Sequence, residues 1–240
     1  MRIVSLVPSV TETLLAWGVQ PIAVTRFCQQ PQLPNVGGTK NPDIARIVAL
    51  APDLVVVDKE ENRAADAAAM VNAGVPVHVL HVTSLADVGP ALAGLADRIG
   101  RPDSELRSIR NHPAKGETAI TAFIPIWRRP WMSINAETYG SSLLAAAGVV
   151  NVFGTAEERY PTVTLEDAAA RHPTAVLAPS EPYPFGERHR AELETVAPVV
   201  FLDGQDLFWW GTRTAGALRR LTSALSRDVP LRDRPLPPGR

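Results

Sequence analysis

Ile3-Val4-Ser5-Leu6-Val7-Pro8 and Ile120-Thr121-Ala122-Phe123-Ile124-Pro125 decide the fold of this chain: each is a short apolar run, rich in β-branched residues, stopped by a proline. Such runs read as buried strands, and proline closes them because it cannot donate to a sheet ladder. An acidic start, an Ala/Leu stretch and a closing glycine follow both, Glu12 to Gly18 and Glu137 to Gly148. Ile44 to Val57, with Ala51-Pro52 before its strand, is answered by Leu165 to Leu177 with His172-Pro173. Val75-Pro76-Val77-His78-Val79-Leu80 is answered by Ala197-Pro198-Val199-Val200-Phe201-Leu202. The offsets at the two proline pairs are 121 and 122 residues, so the register of this internal repeat hardly drifts.

Between these anchors the first half reads as a helix from Val10 to Trp17, a strand at Ile22–Thr25, a helix at Asp43–Leu50, a strand at Leu54–Val57, a helix from Arg63 to Ala73 and a strand at Val77–His81. Ser9 and Thr11 are candidate caps of the first helix, with Glu12 completing a capping box. Strands alternating with helices of this length predict an α/β protein of two similar lobes with mainly parallel sheets. The lobes are expected at 1–85 and 116–227, joined by a helical connector at 86–115 that Pro102 and Pro113 interrupt, with the ligand cleft between them. The tail 228–240 holds four prolines and three arginines and is expected to fray.

The composition narrows the function. The 240 residues are 45% hydrophobic and 20% charged, with 24 basic against 25 acidic side chains. That balance excludes the basic footprint of a nucleic-acid binder. No apolar run reaches the roughly 18 residues of a membrane span. Met1-Arg2 leads straight into the first strand with no secretion signal, which predicts a cytoplasmic protein; periplasmic or cell-surface residence would require removal of a leader. The single Cys28 precludes an intrachain disulfide.

Ligands of parallel sheets bind beyond the carboxyl ends of the strands. The loops there gather Phe27, Trp127, Trp131, Tyr183, Phe185, Phe208, Trp209 and Trp210, interleaved with Lys59, Arg63, Arg128 and Glu181. Rings would stack on a flat cargo while Lys59, Arg63 and Arg128 contact its anionic groups. Pro8 and Ser9 end the first strand and complete the candidate binding set. Searches for other chemistry fail: Gly37-Gly38-Thr39-Lys40 departs from a phosphate loop, the histidines have no zinc spacing, and no nucleophile elbow or dinucleotide fingerprint occurs. Neither catalytic residues nor a metal site are assigned, and no cofactor is required. A cytoplasmic enzyme acting on an anionic metabolite, or a ligand sensor, is the alternative to a carrier.

Ile3-Val-Ser-Leu-Val-Pro-Ser-Val-Thr-Glu-Thr-Leu and Ile44-Ala-Arg-Ile-Val-Ala-Leu-Ala-Pro-Asp-Leu-Val resemble the helical-backbone substrate-binding proteins of ABC importers, which carry cobalamin, ferric siderophores and haem. The resemblance spans nearly the whole chain and is closest to the cobalamin-binding members. Gly37-Gly-Thr-Lys-Asn-Pro, Lys59-Glu-Glu-Asn-Arg, Ile126-Trp-Arg-Arg-Pro-Trp, Ser180-Glu-Pro-Tyr-Pro-Phe and Trp210-Gly-Thr-Arg are similar to a branch without secretion signals. The resemblance implies two α/β lobes around a backbone helix and cargo held by the loops after Val7, Thr25, Val57, Ile124, Ala178 and Asp203. It also implies a bound cobalamin or other metal chelate, and an ABC permease as partner docked through one acidic residue per lobe. Glu166 matches the second of these; Ala45 stands at the first, with Asp43 nearby.

Overall fold

The computed structural model describes residues 1–101 and 120–229. The expected helical connector beyond residue 101 and most of the proline-rich tail lie outside the described residues. Packing divides the chain into two units, Met1–His112 with Trp209–Ala215, and Pro113–Phe208 with Gly216–Arg240. The chain therefore lends seven residues of its C-terminal part to the first unit.

In unit 1, β1 (Ile3–Ser5), β2 (Ala23–Val24), β3 (Leu54–Asp58) and β4 (Val77–Leu80) form one parallel sheet in the order β2-β1-β3-β4. Every residue of β3 is buried, as a central parallel strand covered on both faces requires, which is why Leu54-Val-Val-Val reads as an unbroken apolar run. Helices α1 (Pro8–Ala16), α2 (Ile44–Ala49), α3 (Ala64–Asn72) and α4 (Leu85–Arg98) connect and follow the strands. Val4, Leu6, Ile47, Val55, Val57 and Met70 fill the core between them.

Unit 2 repeats this order. Its strands are β5 (Ile120–Phe123), β6 (Trp131–Met132), β7 (Val149–Asn151), β8 (Thr162–Val163), β9 (Ala175–Pro179) and β10 (Val199–Leu202); its helices are α5 (Tyr139–Ala146), α6 (Leu165–Ala170), α7 (Arg190–Leu193) and α8 (Gly204–Phe208). The terminal α9 (Thr214–Asp228) begins in the lent segment and continues in unit 2. The parallel sheet runs β10-β9-β5-β7, and exchanging β5 for β1, β7 for β2, β9 for β3 and β10 for β4 reproduces the order of unit 1. The repeat extends to single backbone angles. Gly18 and Gly148 end α1 and α5 at φ 70° and 88°, the left-handed geometry that glycine adopts at least cost. Ala51 and His172 end α2 and α6 at φ 42° and 51°, each directly before a proline that bars the right-handed helix to its predecessor.

Two local expectations are corrected. Helix α1 starts at Pro8, two residues early, because proline's fixed φ suits the first helical position; Val7 is its cap residue, and Ser9 and Thr11 lie inside the helix, so the Ser9–Glu12 capping box does not form. Gly37 is a turn residue at φ 97°, where a Cβ would stand 2.7 Å from the Asn41 carbonyl oxygen. Unit 2 carries one addition, an antiparallel ribbon of β6 and β8 that pairs Trp131 with Val163.

Candidate functional site

Neighbouring strands β5 and β9 pair Ala122 with Ala175 and Phe123 with Val176, so the loops that follow them leave one edge of the unit 2 sheet side by side. The first loop turns at Trp127, whose carbonyl accepts from Met132 N–H at 3.2 Å, and returns as β6. The second runs from Ser180 to Phe185. Their rings meet: Trp127 is edge-on to Tyr183 at 5.6 Å, Tyr183 lies 4.7 Å from Phe185, and Trp131 stacks on Phe185 at 5.9 Å and 6°. His189 packs edge-on to both Tyr183 and Phe185 at 5.4 Å. Behind them lies the core cluster of Phe123, Phe153, Val176 and Leu193, which fixes Trp131 and Tyr183 from the rear. Trp127 remains 43% exposed, so the wall keeps part of its aromatic surface open.

The wall has its own charge arrangement. Arg128 Nε donates to Glu192 at 2.8 Å, and this contact, then the neighbouring Tyr183, holds the guanidinium charged. His189 is buried, and burial, then Arg188 and Arg128, push its pKa below the usual imidazole value. Gly186 N–H donates to His189 Nδ1 at 3.2 Å, while Arg188 Nε and Tyr183 Oη stand 3.3 and 3.5 Å from Nε2.

The corresponding edge of unit 1 is polar. Asp58 ends β3 at 1% exposure, and burial raises its pKa to about 6. Its Oδ1 accepts from Glu60 N–H at 2.8 Å, while Oδ2 has no hydrogen-bond partner among the described residues. Asn62 stitches this edge together, accepting from Asp58 N–H at 2.8 Å and donating to the carbonyls of Leu6 and Thr39. Cys28 is buried against the hydroxyls of Thr11 and Thr25, each 3.2 Å from its sulfur, and burial raises its thiol pKa. Arg213 forms a bidentate pair with Glu12 at 2.8 and 2.9 Å and lies over the Trp209 ring at 5.4 Å.

The structure brings Trp127, Arg128, Trp131 and Tyr183 into one cluster and distributes the other expected residues elsewhere. Phe27 is 49% exposed in unit 1 beneath the Arg26 guanidinium, and Lys59 is exposed after β3. Arg63 is engaged with Asp66 at 2.9 Å and Arg128 with Glu192 at 2.8 Å, so each of these expected anion contacts already holds a carboxylate of the chain. Pro8 and Ser9 are buried in the first turn of α1, and Trp210, at 3% exposure, fills space while Trp209 keeps some surface. Phe208 packs against Gly140 of α5, where a Cβ would stand 2.9 Å from its ring, and Glu181 abuts Gly204 at the start of α8. Phe185, His189 and Glu192 complete the cluster. Zinc spacing, the only signal sought around the histidines in the sequence, does not report partners such as those of His189, a backbone N–H, an arginine and two rings. Among the described residues no group of three or more His, Cys, Asp or Glu side chains could hold a metal ion, and no helix is long and apolar enough to cross a membrane.

Residues 3–101 match the family described as periplasmic binding protein. A vitamin B12-binding protein of Pectobacterium carotovorum is 26% identical over 198 residues, covering 75% of this chain and 72% of the relative. The likeness of fold takes in nearly the whole chain. The periplasmic vitamin B12 binding protein of Vibrio cholerae has a TM-score of 0.76 at 20% identity, over 94% of this chain and 96% of that one. A periplasmic haem-binding protein of Pseudomonas aeruginosa has a TM-score of 0.80 at 23% identity, over 98% and 96%. The α/β architecture with two parallel sheets is thus that of periplasmic binding proteins.

Proposed function

We propose that this periplasmic-binding-protein relative binds a cobalamin-, haem- or metal-siderophore-like small molecule without transforming it, and that the ring system of the cargo lies on the aromatic wall of unit 2. The observation that carries the reading is the convergence of Trp127, Trp131, Tyr183 and Phe185 at the carboxyl ends of two adjacent parallel strands. Each well-placed ring contact contributes about 0.5–1.5 kcal/mol beyond area burial. The vitamin B12-binding and haem-binding names of the relatives support the cargo class.

A permease is the proposed partner, and the repeat assigns its contact unevenly. Ala45 and Glu166 occupy the second positions of the matching helices α2 and α6. Glu166 is exposed in the first turn of α6, whereas Asp43 spends its carboxylate capping α2, accepting from Arg46 N–H at 2.9 Å. Docking through an acidic residue therefore falls to Glu166, with Arg46 reversing the local charge on α2. The decisive experiment is equilibrium titration with cyanocobalamin, haemin and a ferric siderophore, followed by tryptophan fluorescence and visible absorption. Binding tighter than about 100 μM, weak on the affinity scale, is expected for at least one, and its absence for all three overturns the reading.

A further inference from the structure

A neutral imidazole carries one proton and one accepting lone pair, yet hydrogen-bond donors stand at both nitrogens of His189. At Nδ1 the donor is the Gly186 backbone N–H, held by the turn in which His189 N–H donates to Gly186 O at 2.8 Å. At Nε2 it is Arg188 Nε, on an exposed arm whose other hydrogen bond is to the Pro184 carbonyl at 3.3 Å. The backbone donor cannot turn away and the arm can, so Nδ1 is the accepting nitrogen and Nε2 bears the proton. Around Nε2 the atom with a lone pair to receive that proton is Tyr183 Oη. The Arg128 guanidinium, which has donors and no acceptor, interacts with Tyr183 and can take no proton from it. The phenolic oxygen thus receives the imidazole proton, and the groups beside it, Arg128, Trp127 and Phe185, offer its own proton no strong acceptor.

We infer that the Tyr183 hydroxyl is a pre-set hydrogen-bond donor pointing out of the wall, which selects cargo bearing an acceptor oxygen, amide carbonyl or carboxylate, at the rim of its ring. This rests on the wall being the binding surface. It makes Tyr183 a specificity-determining residue and His189 and Arg128 its positioning residues.

Two measurements on the full chain test it. Long-range nitrogen–proton NMR correlation near neutral pH should show His189 protonated on Nε2; protonation on Nδ1 overturns the inference with no cargo present. Tyr183→Phe, checked for fold by circular dichroism, should weaken cyanocobalamin or haemin binding by roughly three- to tenfold, the range of one hydrogen bond, and leave iron octaethylporphyrin, which lacks acceptor arms, unaffected. The arm that responds, corrin amides or porphyrin carboxylates, identifies the acceptor. Wild-type binding that Tyr183→Phe leaves unchanged in both arms overturns the donor role alone. No binding by the wild-type chain overturns the cargo reading and the donor role together.

Discussion

At the carboxyl end of β3 the chain buries Asp58; at the end of β9, the matching strand of unit 2, it passes Pro179 and reaches Tyr183 and Phe185. The contrast repeats one strand over. β1 reaches α1 through Leu6 and Val7 alone, whereas β5 reaches α5 only after residues 124–138, which include Trp127, Arg128 and the β6 strand. One strand order therefore supports two unlike edges: hydroxyls, a thiol and a buried carboxyl in unit 1, and stacked rings around a buried imidazole in unit 2. The sheets fix where the loops leave; the length and residues of the loops decide what chemistry they carry.

The largest expected effect comes from breaking unit 1 at its lent segment. Gly211 has φ 126°, and a Cβ there would run into the Thr13 hydroxyl of α1. The same segment is held by Thr212 N–H donating to Thr13 Oγ1 at 3.3 Å. Gly211→Ala combines a forbidden backbone geometry with overpacking and should cost about 3 kcal/mol or more. Amide hydrogen exchange should accelerate in β1 and β3 and stay close to wild type in β5 and β9; equal acceleration in both sheets would show that the lent segment does not belong to unit 1 alone.

Asp58 comes next, and its sign is the reverse. Its folded pKa of about 6 lies above the ordinary 3.8, so the folded chain holds the proton more tightly. This group's contribution is best in acid and is lost as pH rises from about 4 through 6. Asp58→Asn should therefore raise stability at pH 7 by about 2 kcal/mol, less than the full linkage because the new amide N–H inherits the unpartnered position of Oδ2. Denaturant midpoints measured from pH 4 to 7 check it: the variant should lack the wild-type decline over that interval.

Affinity should divide along the same line. Trp127→Ala removes an exposed ring from the wall and should weaken cargo binding about tenfold, whereas Phe27→Ala, an exposed ring in unit 1 with only Arg26 over it, should change it about twofold or less. An equal loss in both would place cargo contact on the unit 1 edge as well and dissolve the contrast.

How much of this was legible follows from the same difference. The alternation of strands and helices, the closing glycines and the paired prolines could be read because they follow from local rules, an apolar run ended by proline and a helix ended by glycine. The α1 start was misplaced because Ser9 offered a capping hydroxyl while Pro8, one residue earlier, had already fixed φ. Trp127, Trp131 and Tyr183 could be read as strand-end aromatics, but the ion pair beside them could not: Arg128 finds Glu192 across 64 residues. Asp58 escaped notice because its peculiarity is burial, which Val57-Asp58-Lys59 does not announce.

The smallest effect sharpens the comparison furthest. His189 titrates below the ordinary imidazole value of 6.5, so below that pH the unfolded chain takes up a proton the fold resists, and this group's contribution, intact above pH 6.5, is lost as pH falls toward its folded value. Asp58 changes stability in the opposite direction between about pH 4 and 6, so the two edges partly cancel in the wild-type profile. His78, also lowered by burial and by Arg98, adds to the His189 limb, and a single pH profile cannot separate them. His189→Gln can, because glutamine keeps an acceptor for Gly186 N–H and a donor for Tyr183 without a titrating proton. The difference between wild-type and His189→Gln midpoints should be constant above pH 6.5 and change steadily below it in favour of the variant. Measured in the Asp58→Asn background, the same difference should persist unaltered, since the two groups sit on separate units. A difference that is flat across pH 6.5 would mean the imidazole is not held neutral by burial, Arg188 and Arg128, and the wall would lose the fixed proton that orients Tyr183.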